Sequence, residues 1–244
     1  FRRVVELSTK FLLCGTLKAD LPYKKIYEVR EKNRRLGLGL MGVHEWLMKK
    51  SKRYEVDDEL HQWLSIYKST SEETGRTTAD AFGISRPVAY RAIAPTGTIG
   101  ILAGTSTGIE PIFAVAYKRR YLTEGKRWKY QYHVDHIANE LIKEYGLDPT
   151  KIETASDLAR DYERRIAFQA DIQDYVDMSI SSTINLPAWN PIDPSVDADT
   201  FGNTLARHAH RLRGFTVYPD GARGGQPLVP MDYNEVRHKL GEEF

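Results

Sequence analysis

Apolar positions along the chain repeat with two periods. Between Met178 and Pro187 they alternate, with Met178, Ile180, Ile184 and Leu186 sharing one face with Ser182, and Ser179, Ser181, Thr183, Asn185 and Pro187 sharing the other. That is a strand's period of two. Residues 43–50, 57–82, 133–145, 155–177 and 199–213 read as helices, the second broken at Gly75 and the third closed by Gly146, and residues 3–13 read as the end of another. Apolar runs at 35–41, 88–94 and 215–218 read as further strands, 98–104 as a short helix and 112–122 as extended structure. The alternation of strand and helix predicts an α/β fold, and no repeat, low-complexity tract or linker divides it. Helices cover the strands of such a fold. The apolar face of the 178–187 strand is therefore expected against helices, and its hydroxyl-rich face toward solvent or a polar cavity. An open antiparallel strand with one wet face fits the same pattern.

Composition narrows the function classes. The 244 residues carry a net charge of +2 with both signs interspersed, which argues against a nucleic-acid or membrane-surface binder. No apolar run approaches a membrane span, and residues 1–14 mix acid and base with apolar positions, so neither a span nor a signal peptide is expected. The single cysteine, Cys14, cannot form an intrachain disulfide, in keeping with a reducing, cytoplasmic setting. The first residue is Phe1, as in a processed product or part of a longer polypeptide.

Two glycine-containing stretches invite comparison. In "RRLGLGLMGVHEWL", Gly37, Gly39 and Gly42 have the G-x-G-x-x-G spacing of a dinucleotide fingerprint, but no second strand ending in an acid follows at the required distance, so packing glycines are expected. In "AIAPTGTIGILAG", Pro95, Thr96, Gly97 and Thr98 lie between an apolar strand and the next apolar segment. Thr96 or Thr98 can cap the helix, Gly97 admits an anion to the backbone, and the free amides of the first turn point at it. No lysine follows, so this is not a Walker loop. A simple capped strand-to-helix turn is the alternative.

Together, "RRLGLGLMG", "AIAPTGTIGILAGTSTGIEPIFA", "SISSTINLP" and "FTVYPDGARGGQPL" resemble, in order and spacing, the C-terminal half of the catalytic chain of ribonucleotide reductases, most closely the adenosylcobalamin-dependent class II enzymes. The resemblance runs from about Asn33 to Leu228 and is weaker over residues 118–161. It implies an α/β fold that is the C-terminal half of a ten-stranded barrel made of two five-stranded halves. Residues 1–228 would supply that half, and 229–244 a polar, frayed tail. It further implies that Ala94, Pro95, Thr96, Gly97, Thr98 and Ile99 hold the phosphates of a ribonucleotide, a diphosphate in preference to a triphosphate. Ser179, Ser181, Thr183 and Asn185 would line the reaction cavity.

The family's chemistry uses a cysteine that becomes a thiyl radical, flanked by an Asn and a Glu, and a second pair of cysteines that gives up two electrons. Cys14, in "KFLLCGTLK", has no N-x-C-x-E setting and reads as structural in an apolar neighbourhood. No catalytic residue is assigned to this chain. The catalytic cysteines are expected in an N-terminal half, on a separate or missing chain. A half barrel also leaves sheet edges open, so a partner or self-association is expected. Class I relatives pass a radical through two adjacent tyrosines on the last barrel strand, whereas "GFTVYPDG" has Tyr218 alone, which favours adenosylcobalamin as cofactor. A non-catalytic nucleotide-binding or regulatory module, or a class I fragment needing a metal-radical subunit, are the alternative readings.

Weaker groups receive structural readings. His133 and His136 lack a third metal ligand and read as a helix start, so no metal site is expected. His208 and His210 read as surface groups. Arg119, Arg120, Lys126, Arg127 and Lys129, interleaved with Tyr121, Trp128 and Tyr130, read as a solvated hairpin or subunit contact, and residues 219–228 as a strand exit rich in turn formers.

Overall fold

The computed structural model describes residues 1–123, 127–187, 198–219 and 227–242. In chain order the helices and strands are α1 (Arg2–Lys18), α2 (Lys24–Asn33), α3 (Val43–Lys49), α4 (Asp58–Ala81), α5 (Gly97–Ala103), β1 (Ala116–Leu122), β2 (Trp128–Val134) and α6 (His136–Tyr145). There follow α7 (Ala155–Leu158), α8 (Tyr162–Gln173), β3 (Thr183–Leu186), α9 (Ala198–His208), β4 (Thr216–Pro219), β5 (Leu228–Met231) and α10 (Tyr233–Val236). No described helix is long and apolar enough to cross a membrane.

Four extended segments run side by side in chain order. Leu38 N–H donates to the Tyr90 carbonyl at 3.0 Å and the Leu38 carbonyl accepts from Ala92 N–H at 3.0 Å. Ile93 N–H donates to the Ser179 carbonyl at 3.3 Å, and Ser181 N–H to the Ile93 carbonyl at 2.8 Å. β3 then pairs with β4 in parallel, from Thr183 against Thr216 to Leu186 against Pro219. The bridges joining the first three segments are parallel as well. The predicted strands at 35–41 and 88–94 are thus present as extended chain tied by single bridges. Among the described residues there are four parallel segments, where a complete barrel half would have five.

Burial alternates across these segments. Leu36, Ile93, Ile180, Ser182, Ile184 and Leu186 are buried against the helices, whereas Gly37, Gly39, Ala94 and Ser179 are exposed on the other face. The latter face therefore carries small or hydroxyl side chains. Gly39 is required by close approach, since a Cβ there would lie 2.8 Å from the Ala92 carbonyl oxygen. Gly42, at φ +77°, is backed by Thr105. Packing and backbone conformation account for Gly39 and Gly42, as expected, whereas a Cβ at Gly37 would meet only the Ala92 Cβ, at 4.0 Å.

Arg91 anchors the second segment. It is fully buried and donates to the Tyr175 carbonyl (2.6 Å), the Lys68 carbonyl (3.1 Å), Ser71 Oγ (2.7 Å), Glu72 (2.7 Å) and Asp177 Oδ1 (2.8 Å). Asp177 Oδ2 in turn accepts the Tyr90 and Arg91 amides.

Several elements differ from the sequence reading. α4 runs unbroken through Gly75, where a Cβ would meet the Tyr90 ring at 2.5 Å; the glycine makes room for a neighbour and does not interrupt the helix. The predicted 133–145 helix starts only at His136, where Asp135 caps the Ile137 and Ala138 amides, because Trp128–Val134 pair with β1 as a hairpin. The predicted 155–177 helix divides into α7 and α8, since Thr154 and Asp161 each cap a helix of their own. The segment from 229 onward, expected as a frayed polar tail, contains most of β5 (Leu228–Met231) and α10 (Tyr233–Val236). Backbone groups at the open edge of β1 hold β5 whatever its side-chain polarity, and Val236 is fully buried. Residues 124–126, 188–197, 220–226 and 243–244 lie outside the described residues, and with them Lys126 and most of the predicted strand exit at 219–228.

Candidate functional site

The second extended segment ends at Ala94, and the chain turns through Pro95 and Thr96 into α5. Thr96 is the N-cap residue at φ +50°, a left-handed conformation that costs a β-branched residue about 1–2 kcal/mol. Its hydroxyl does not cap the helix, contrary to the sequence reading. Instead Thr96 Oγ1 accepts the Gly108 N–H at 2.8 Å. The first helical bond is Gly100 N–H to the Thr96 carbonyl at 2.7 Å, and the amides of Gly97, Thr98 and Ile99 have no acceptor among the described residues. Ala94, Pro95, Gly97, Thr98 and Ile99 are exposed and Thr96 half-buried.

The hydroxyl-bearing strand adjoins this loop, because Ser181 is bonded to Ile93 across the sheet. Ser179 is exposed, and Ser181, Thr183 and Asn185 are half-buried on the face shared with Ala94. Met178 is half-buried and Ile180 buried on the opposite side. The loop and these four residues thus meet on one face of one sheet.

Residues 105–112 bolt the arrangement together. Gly42 N–H donates to the Ser106 carbonyl (2.7 Å), Tyr54 OH to the Ile109 carbonyl, and Ile112 N–H to His44 Nδ1 (3.0 Å). Glu110 Oε1 accepts the Thr183 N–H at 2.6 Å, and Glu110 Oε2 accepts from Arg165 Nη2 at 2.7 Å. Arg165, 2% exposed, also donates to Ser182 Oγ (3.0 Å), the Thr183 carbonyl (2.8 Å) and the Tyr54 hydroxyl. Burial raises the Glu110 carboxyl above the usual carboxylate range, although Arg165 and the Thr183 amide pull it part of the way back. These residues were not singled out from sequence. Glu110 lies inside the S-x-G-I-E-P stretch and so was within reach of attention, whereas Arg165, in "YERRIAFQA", reads as one more basic helix residue.

His44 supplies a titration signature. Burial, reinforced by nearby Arg165, lowers its pKa from 6.5 to about 3, so the ring is neutral and Nδ1 can accept the Ile112 amide. A depressed folded pKa means stability is complete above the unfolded pKa of about 6.5 and is lost as pH falls from there toward 3. In His44→Gln the amide oxygen can still accept that bond but does not titrate. Lowering the pH from 7 to 5.5 is expected to cost the native chain about 1 kcal/mol more unfolding free energy than the variant, measured by urea titration at both pH values. Equal losses would show that His44 is not buried in its neutral form.

The remaining candidates do not join the site. Cys14 is exposed on α1, outside the apolar neighbourhood the sequence suggested. His133 belongs to β2 and His136 to α6, so they share no helix face, and no group of three metal-ligating side chains occurs among the described residues. The basic and aromatic stretch forms the expected hairpin of β1 and β2.

The fold agrees with what the chain is similar to. A family model described as ribonucleotide reductase, barrel domain, matches residues 1–68 and 78–213, and the chain belongs to that family. Among curated relatives, the vitamin B12-dependent ribonucleoside-diphosphate reductase of Mycobacterium tuberculosis (strain CDC 1551 / Oshkosh) is 28% identical over 91% of this chain and 36% of its own length. The enzyme of the same name from Thermoplasma acidophilum is 26% identical over 93% of this chain and 34% of its own length. The chain thus spans about a third of the relatives it matches. A crystal structure of a B12-dependent class II ribonucleotide reductase shares the fold at a TM-score of 0.77 and 16% identity, covering 98% of this chain and 37% of that one. A class Id α subunit from Actinobacillus ureae shares it at 0.67 and 19%, covering 89% and 46%. The resemblance to class II reductases and the α/β barrel assignment are borne out, the chain covering part of the barrel.

Proposed function

We propose that this chain supplies the substrate-phosphate loop and one cavity wall of an adenosylcobalamin-dependent reductase acting on ribonucleoside diphosphates. The observation that carries the reading is the set of three amides, Gly97, Thr98 and Ile99, left without an acceptor where the loop opens onto the hydroxyl face. Amides converging at a helix start suit a diphosphate. Thr96 Oγ1 accepts from Gly108, so its own hydrogen is free to donate toward the same anion. Ala94 and Pro95 complete the loop. Ser181, Thr183 and Asn185, with Ser179 further out, supply short donors and acceptors that fit ribose hydroxyls.

Relatives named as B12-dependent imply the cofactor. A corrin brings its own cobalt and requires a broad apolar surface more than a set of ligating side chains. Ile99, Ile101 and Leu102, 54%, 76% and 87% exposed on α5, fit that requirement and are the residues this chain would place against it. When bound, the cofactor supplies radical generation by carbon–cobalt homolysis, with no tyrosine relay; β4 carries Thr216 and Val217 ahead of the single Tyr218.

The thiyl chemistry itself requires cysteines this chain lacks, so the partner is the cysteine-bearing remainder of the reductase. The Gly37 and Gly39 amides at the edge of the first segment have no acceptor among the described residues, and an apolar groove lined by Leu7, Phe11, Leu12 and Leu38 flanks them. An edge of this kind takes another strand. With adenosylcobalamin and a dithiol, reduction of CDP and ADP is expected only when this chain is mixed with that remainder. Absence of turnover in the mixture with nucleotide still bound would favour a regulatory module, and turnover without cobalamin a class I enzyme.

A further inference from the structure

We propose that Glu110 is a positioning residue that ends the sheet ladder and so shapes the 94–99 loop; the ligand in question rests on the phosphate reading above. Ser181 N–H bonds the Ile93 carbonyl at 2.8 Å. A parallel ladder repeats two residues further on, which would bring Thr183 N–H to the Pro95 carbonyl. It does not do so here. Glu110 Oε1 takes that amide at 2.6 Å, leaving Pro95 free to turn away from the sheet.

The same side chain ties this point to two other elements. Its second oxygen meets Arg165 at 2.7 Å, and Arg165 returns to the Thr183 carbonyl at 2.8 Å, so Thr183 is gripped at both its N–H and its C=O. Along the backbone, Glu110 is two residues from Gly108, whose N–H holds Thr96 Oγ1 at 2.8 Å. A short path therefore runs from the cavity strand through Glu110 to the residue that starts α5. An uncharged amide of the same size can keep one acceptor for Thr183, but it loses the counter-charge that holds Arg165 in place.

The test compares E110Q with the native chain. Pyrophosphate titration is expected to show about tenfold or greater weakening in E110Q, and exchange of the Gly100 and Gly108 amides, which bond the Thr96 carbonyl and hydroxyl, is expected to accelerate by a similar factor. A Leu13→Val control, in a separate core cluster with Leu36 and Ala79, is expected to leave affinity and these exchange rates unchanged, which separates positioning from general loss of stability. Native affinity and native exchange in E110Q would overturn the proposal. If the native chain itself failed to bind pyrophosphate, the phosphate reading would fall, and the exchange comparison would still decide the positioning. Should E110Q not fold, Thr96→Val removes the other end of the path while leaving Glu110 intact. Faster exchange of the Gly100 amide is expected there, and native exchange would overturn the path; affinity does not decide this variant, because the Thr96 hydroxyl itself faces the anion.

Discussion

Arg91→Met is expected to lower the free energy of unfolding by about 3 kcal/mol, toward the lower end of the range for breaking a buried ion pair. Methionine fills most of the volume but returns none of the donors. The Tyr175 and Lys68 carbonyls and the Ser71 hydroxyl each lose a partner. Asp177 keeps its bonds to the Tyr90 and Arg91 amides, and the Asp177 and Glu72 side chains are 27% and 43% exposed, so water can reach them and the loss stays below the largest known cases. Urea titration reads the effect directly. A loss under about 1 kcal/mol would mean the network contributes no more than a surface pair.

Gly108→Ala is expected to damage both stability and site. At φ +50° an alanine costs about 1–2 kcal/mol of backbone energy, and its Cβ would lie 3.2 Å from the Ala94 carbonyl oxygen, inside the very loop at issue. Relief requires moving Gly108 away from Ala94, which lengthens the bond from its amide to Thr96. Pyrophosphate affinity should fall by about tenfold or more, equivalent to about 1.4 kcal/mol. Native affinity in this variant would show that the Thr96 bond does not shape the loop.

Much of the sheet was legible in the sequence because its side chains obey one simple contrast. Between residues 180 and 186 every even position is buried and every odd one half-buried, as the alternation of Ile180, Ser182, Ile184 and Leu186 implied. The 94–99 turn was legible because a strand, a Pro-Thr-Gly turn and an apolar segment follow one another locally. What escaped is non-local or weakly patterned. α2 buries no residue, so it leaves no apolar period to read. The end of β2 escaped as well: His133 and Val134 were read as the start of a helix, whereas they pair with Tyr117 and Ala116 of β1. Thr96 was read as a helix cap because capping is a local rule, whereas its partner Gly108 lies twelve residues away. Arg165 was invisible for the same reason: its partners Tyr54, Glu110 and Ser182 come together only in the fold.

The most direct measurement is a titration of this chain with pyrophosphate and with CDP, followed by amide chemical shifts. If the 94–99 loop is a phosphate site, the Gly97, Thr98 and Ile99 amides shift together and saturate with both ligands, and CDP additionally moves Ser181 and Thr183. Shifts confined to other basic surfaces, with these three amides unmoved at saturating ligand, would contradict the assignment.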